Sequence, residues 1–263
     1  MPLRSIDMYR IRFSSISQLF DVPEGVQVVM PLKDILRGIG SSSMLIRENR
    51  LIAEIPSVLW EGSVPSVRED LEKLKDKGVR GALCENIGAV NMCAEAGIDI
   101  HGGMYLNVLN VPAIEEYAKL GAKDLTLSFE MPFGKQRELL KKYASADSRI
   151  DLGILVYGYL PLMKFRACPA MGPEGCKRCS RDKELIDRKG EHFRILCHDS
   201  KYSELLNCVP LYVSDRNLPP LDFYTLYFTT ETAEECRNIF DMVRNKENPP
   251  FRRTAGLYNR ELL

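Results

Sequence analysis

Eight short apolar runs, at 9–13, 26–31, 51–55, 81–84, 98–101, 124–128, 151–157 and 223–228, punctuate this chain. Stretches of helical period lie between many of them. The segment 66–77 carries Leu71 and Leu74 on one stripe and stops at Gly78. The segments 87–96 and 111–120 stop at Gly97 and Gly121, 15–20 follows a serine-rich cap, and 230–245 opens on Thr-x-x-Ala-Glu-Glu. A strand followed by a helix and then another strand returns the chain in the same direction, so it builds a parallel sheet. Eight such strands predict an α/β fold of the (β/α)8 TIM-like barrel type. The barrel domain is predicted over 1–245. The stretch 164–215, between the seventh and eighth strands, reads as a Cys-rich insertion, and 246–263, with its Pro-Pro and Arg-Arg pairs, as a mobile tail.

Composition bounds the function. Thirty-six basic and thirty-six acidic residues cancel, so no global field steers the chain toward nucleic acid or an anionic membrane. The first thirteen residues hold no apolar stretch of signal-peptide length, and the charge-free run 152–163 is too short to span a bilayer. The expected location is cytoplasmic, with no membrane partner. In a reducing compartment the eight cysteines are expected to be ligands and packing residues rather than disulfides. Cys84, Cys93, Cys208 and Cys236 lie in or beside apolar runs and read as packing residues.

The other four stand in the insertion. Cys168, Cys176, Cys179 and Cys197 are spaced C-x7-C-x2-C-x17-C, and the loop between them is polar and rich in Gly and Pro. Cysteines gathered on a charged loop suit a soft metal, and the C-x2-C pair puts two sulfurs on one turn. Zinc and an iron–sulfur cluster are both open on spacing alone. Lys177, Arg178, Arg181, Lys183, Arg188 and Lys189 crowd the same loop, countered by Glu174, Asp182, Glu184, Asp187 and Glu191.

In a barrel, reactive groups belong at the C-terminal ends of the strands. Glu54, Glu85, His101, Asn107, Asn110, Glu130, Tyr157 and Glu231 are predicted there. Glu130, His101 and Asn107 are the catalytic candidates, Glu130 because a carboxylate straight after an apolar strand would be desolvated. Arg166, Arg188 and Tyr157 are candidates for substrate binding, the arginines toward an anion such as a dicarboxylate. His192 and His198 flank the last cysteine as potential partners of a ligand. The chain has no G-x-S-x-G elbow and no H-E-x-x-H pair.

The run LGILVYGYLPLMKFRACP, with GCKRC, LIDRKGEHFRILC and YSELLNCVPLYVSD after it, resembles the peptidase U32 family of collagenase-like proteases. RFSSISQLFDVP, DIHGGMYLNVLNVPAI and KDLTLSFEM extend the likeness from residue 9 to 244, closest to the C-terminal part of long bacterial members. The resemblance implies a barrel-like fold with a cysteine-ligated [4Fe-4S] cluster, and it favours the cluster over zinc. It also implies a role in oxygen-independent hydroxylation of RNA or of a small aromatic. Other members are recorded as collagenases or peptidases, so hydrolysis is the alternative activity. A zinc-braced, non-catalytic module completing a second U32 chain, or a missing N-terminal half, is the remaining one. The sequence departs from the family at Pro161, where better-known hydroxylation members carry a cysteine. Cys168, Cys176, Cys179 and Cys197 make four ligands without it, with Cys208 and Cys236 in reserve.

Overall fold

A computed structural model describes residues 8–40, 43–144, 149–172, 175–176, 179, 183–198 and 201–259. Eight parallel strands close into a barrel: β1 (Met8–Arg12), β2 (Gln27–Pro31), β3 (Leu51–Glu54), β4 (Gly81–Cys84), β5 (Asp99–Gly102), β6 (Ala122–Thr126), β7 (Asp151–Gly158) and β13 (Phe223–Tyr227). Each pairs with the next in chain order, and β13 pairs with both β7 and β1, which closes the ring. The barrel and all eight predicted strands are therefore present. Near-continuous burial of these strands reflects helices on one side and the barrel interior on the other.

The helices are α1 (Leu32–Gly38), α2 (Met44–Arg47), α3 (Val64–Asp76), α4 (Ile87–Ala96), α5 (Val111–Lys119), α6 (Phe133–Tyr143) and α7 (Ala233–Arg244). Between β1 and β2 the chain makes only a 3-10 turn, Ile16–Gln18, capped reciprocally by Ser15 and Gln18. Gly97 ends α4 with φ +66°, a left-handed conformation open to glycine at little steric cost. The capping box Thr232/Glu235 starts α7, whose Cys236, Ile239, Phe240 and Val243 face the barrel.

Along β1 the side chains alternate. Tyr9 and Ile11 join the core between strands and helices, with the Tyr9 ring edge-on to Phe240 of α7 at 5.7 Å. Arg10 and Arg12 therefore point into the barrel. Val29, Ile52 and Leu83 form a small separate apolar cluster there.

The predicted insertion folds as a second, antiparallel sheet. Its strands are β8 (Pro161–Phe165), β9 (Lys183–Ile186), β10 (His192–His198) and β11 (Tyr202–Leu206), in the order β8-β11-β10-β9. A two-residue strand, β12 (Leu211–Tyr212), then pairs antiparallel with β7 before β13 completes the barrel.

The tail was expected to be mobile, and its described part is packed instead. Tyr258 is buried, stacks on Phe133 at 4.8 Å and donates its hydroxyl to the Leu155 carbonyl at 3.0 Å. Arg253 pairs with Asp215, and Thr254 bridges to Leu211. Residues 260–263 lie outside the described residues, as do 1–7. Among the described residues no helix is long and apolar enough to cross a membrane.

Candidate active site at the barrel mouth

The C-terminal ends of the strands open under the appended sheet, and a cavity of about 180 Å³ lies between them. Arg12, Glu54 and Tyr227 line it from the barrel, and Leu196, Cys197, His198 and Tyr202 from the sheet. A concave space of this kind suits a small molecule.

Arg12 forks onto Glu54, with Nε and Nη2 donating at 3.1 and 2.8 Å to Oε2. Its Nη1 donates to Ser14 Oγ at 2.5 Å and to the Phe228 carbonyl at 3.0 Å, and the guanidinium carbon lies 4.2 Å from the Tyr227 ring centroid. Both partners are nearly buried, so the pair is held as a fixed dipole at the cavity floor.

Glu85 follows β4 and is 3% exposed. Its Oε2 accepts the Tyr105 N–H at 2.8 Å, and its carboxyl lies against Gly103, where a Cβ would come within 2.2 Å of it. Only glycine leaves room for that approach. Burial pushes this carboxyl up to about 8, aided by nearby Glu54 and opposed by the Tyr105 N–H. Glu85 therefore holds a proton through neutrality, whereas Glu204 does not. Glu204, on β11, is 1% exposed and accepts from Tyr105 Oη at 2.9 Å. Lys164 Nζ and His198 Nε2 each stand 3.1 Å from it. Burial alone would raise its carboxyl, but His198, Lys164 and Tyr105 bring it down to about 2. Two buried carboxyls joined through Tyr105 thus take opposite protonation states.

The catalytic candidates read from sequence fall elsewhere. Glu130 is exposed, and its backbone N–H donates to Ser128 Oγ. Asn107 is exposed and caps the 3-10 turn Met104–Leu106 in a left-handed conformation, φ 51°. His101 faces the opposite end of the barrel interior. Its Nδ1 lies 2.5 Å from Asp124 Oδ2, and its ring covers Gly81, the first residue of β4. Arg10 completes that layer, donating to both Asp124 oxygens at 2.9 and 2.7 Å and to Gln27 at 2.9 and 2.7 Å. Burial would raise the Asp124 carboxyl, yet Arg10 and His101 hold it well below the usual carboxylate range. This is a plug of charge at the strand starts, away from the mouth.

Tyr157 is buried and donates its hydroxyl to Glu231 Oε1 at 2.7 Å, while Glu231 Oε2 accepts the Thr229 and Thr230 N–H groups. That network joins β7 to the loop after β13. Asn110 caps α5. Arg188 is exposed on the β9–β10 turn, and Arg166 is exposed over the Trp60 ring at 5.0 Å. His192 pairs with Glu184 at 2.7 Å on the surface.

Strand register places Cys197 near the end of the appended sheet where β8 stops and β9 begins. Phe165, three residues before Cys168, lies opposite Ser203, and Ser203 lies opposite Cys197. Lys183, four residues after Cys179, lies opposite Ile195. Cys176 and Cys179 share a turn, with the Cys179 N–H directed to the Cys176 carbonyl at 3.4 Å. The Ser203 hydroxyl, buried beside Cys197, has no hydrogen-bond partner among the described residues. Four thiols are in chemistry the donor type that suits a zinc ion or an iron–sulfur cluster. A preformed cage is another matter: among the described residues no group of three or more His, Cys, Asp or Glu side chains stands ready to hold a metal ion. Glu174, Lys177, Arg178, Arg181 and Asp182 of the cysteine loop lie outside the described residues.

The remaining cysteines are core and surface residues. Cys84, Cys93 and Cys236 are fully buried, with Cys84 Sγ 3.6 Å from Cys93 Sγ. Cys208 is half-buried beside Asn207. Sequence reasoning passed over Glu204, Lys164 and Tyr105 because none follows a predicted strand in a barrel register; the only signal was a charge, Glu204, inside the otherwise uncharged string YSELLN.

Residues 46–172 match the family model described as Peptidase family U32. The matched segment ends after Cys168 and before the C-x2-C pair, a narrower span than the resemblance suggested. Among solved structures, the U32 peptidase Mk0906 is similar over 59% of this chain and 70% of its own, at 16% identity and a TM-score of 0.44. A CutC protein from Streptococcus agalactiae is similar over 57% of this chain and 88% of its own, at 10% identity and a TM-score of 0.43. No curated protein matches the chain significantly.

Proposed function

Because residues 46–172 match the model of peptidase family U32, we propose that this chain is an enzyme, or an enzyme subunit, acting on a small molecule or a nucleobase at the barrel mouth. Its proposed cofactor is a [4Fe-4S] cluster held by Cys168, Cys176, Cys179 and Cys197, and its proposed reaction an oxygen-independent hydroxylation of RNA or of a small aromatic. One observation carries this reading. The cavity at the strand ends is roofed by the appended sheet, and Cys197 of β10 is among its lining residues. When bound, such a cluster supplies one-electron transfer.

The chain's own residues supply the rest. Arg12 and Glu54 present a fixed dipole to the cavity, which orients a polar substrate. Glu85, buried beside that pair, holds a proton through neutrality and is the proposed proton donor. Tyr105, Lys164 and Glu204 fasten the roof of the cavity to the barrel. A second U32 chain, or the N-terminal half that longer members carry, is the proposed partner.

Hydrolysis of peptides is the second reading, favoured by the matched family's description. It needs an activated nucleophile, and Ser57 Oγ, 2.7 Å from Lys164 Nζ at the cavity wall, is the nearest such contact. Lys164 is at the same time paired with Glu204, which ties its ammonium to a carboxylate.

Anaerobic purification separates these readings. A brown protein with stoichiometric iron and sulfide, lost in Cys179→Ser, is expected. A colourless, iron-free preparation overturns the cluster. Stoichiometric zinc with no iron selects the braced partner module, and cleavage of gelatin that vanishes in Ser57→Ala selects the peptidase.

A further inference from the structure

Trp60 is the single tryptophan of the chain and sits on the loop between β3 and α3, on the rim of the barrel mouth. It remains 36% exposed. Beside it an open hollow is lined by Trp60, Gly62, Ser63, Ser66, Arg166 and Lys201. Ser63, Ser66 and Lys201 also line the roofed cavity, so the hollow is its outer vestibule.

The lining is unusual for a chain of zero net charge. Among the described residues it holds one large aromatic face, two cations and two hydroxyls, and no carboxylate. The Arg166 guanidinium already lies over the indole at 5.0 Å, and no ion pair joins Arg166 or Lys201 to an acid among the described residues. Arg166 comes from the end of β8 and Lys201 from the β10–β11 turn, so the barrel supplies the ring and the appended sheet supplies the charges. An exposed indole flanked by two cations is complementary to a planar ring bearing negative charge: the ring stacks, and the anion meets the cations.

We propose that Trp60, Arg166 and Lys201 form a binding site for an aromatic anion, with the ring stacked on Trp60 and the charged group between Arg166 and Lys201. The proposal deepens the reading above, since the vestibule belongs to the same cavity, and it names the feature of the substrate that the protein grips. The site selects against uncharged rings, which forgo the cations, and against aliphatic anions, which forgo the indole. A nucleotide and an aromatic carboxylate share the required chemistry.

The lone tryptophan makes the test direct. Its fluorescence is titrated with adenosine 5′-monophosphate and with benzoate, using adenosine and acetate as controls. Saturable quenching is expected from at least one aromatic anion, with binding at least tenfold weaker for both controls. Arg166→Ala and Lys201→Ala are each expected to weaken that binding at least tenfold, and Trp60→Leu to do the same by calorimetry, with unchanged circular dichroism. Quenching by the nucleotide alone assigns the site to nucleic acid or its monomers; quenching by benzoate alone assigns it to aromatic acids. No saturable quenching by either, or equal binding in the arginine and lysine variants, overturns the proposal. Iron content is measured on the same samples. A protein without iron that still binds the anion sinks the cluster and spares this site; one with iron that binds nothing does the reverse.

Discussion

The Tyr105 hydroxyl donates to Glu204 at 2.9 Å across 99 residues of chain, joining a turn on the barrel to a strand of the appended sheet. The same tyrosine gives its backbone N–H to Glu85, so one residue ties the roof of the cavity to the buried carboxyl beneath it. Lys164, 3.4 Å above the Tyr105 ring centroid and 3.1 Å from Glu204, closes the joint from β8.

Glu204→Leu is expected to release the appended sheet while leaving the barrel intact. Losing one partner of a buried charge cluster costs about 3–5 kcal/mol, and here the cost falls on the joint. Hydrogen exchange should quicken in β10 and β11 and stay unchanged in β1 and β2. Because the Glu204 carboxyl is brought down to about 2, its contribution is complete above the ordinary carboxylate range and fades as the pH falls toward that value. Equal protection of β10 and β11 in variant and wild type would remove Glu204 from this role.

Glu85 has the opposite sign. Its folded carboxyl sits at about 8, so it costs nothing while protonated in both states and penalises the fold as the pH climbs through neutrality. Wild-type stability should decline between about pH 5 and pH 8 by on the order of 3 kcal/mol from this group. Glu85→Gln should flatten that decline, as read by urea unfolding at several pH values. A variant with the wild-type slope refutes the assignment.

Asp124→Asn is expected to destabilise the whole barrel by about 3–5 kcal/mol. It leaves Arg10, 1% exposed, without its anion in the barrel interior. In the wild type the Asp124 carboxyl is held low, so the stability it contributes is present above the ordinary carboxylate range and lost only in strong acid. Thermal unfolding at neutral pH measures the first effect and acid titration of the circular dichroism signal the second. An unchanged melting temperature contradicts the charge-plug reading.

Tyr258→Ala should cost about 3–5 kcal/mol, the usual loss for a buried aromatic. Tyr258→Phe should cost about 1 kcal/mol, the hydrogen bond to Leu155 alone. If neither variant shifts the unfolding midpoint, the tail does not belong to the barrel's cooperative unit.

The strands were legible because alternation of apolar runs and helical stripes is a local pattern. Helices α1, α2 and α6 were not. The first two are short, at seven and four residues, and the buried face of α6 includes Gln136, whose amide donates to the Met131 carbonyl and interrupts the apolar stripe. Residues 15–20 looked helical but make only a 3-10 turn, because Gln18 turns inward to the Ser14 N–H and the Glu231 carbonyl. Among candidate site residues, exposure and partners separated Glu130 and His101 from Glu54 and Glu85, and neither property is written in spacing.

By itself the sequence determined a closed barrel of eight strands and the one interruption that carries four cysteines, since strand and helix periods act over a few neighbouring residues. Only the tertiary structure decided which polar groups meet at the mouth. Tyr105 with Glu204 and Arg12 with Glu54 are brought together by barrel closure and sheet docking, which join residues 99 and 42 positions apart. Burial at those junctions then sets the charge each group carries, and burial is a property of the packed chain rather than of any segment of it.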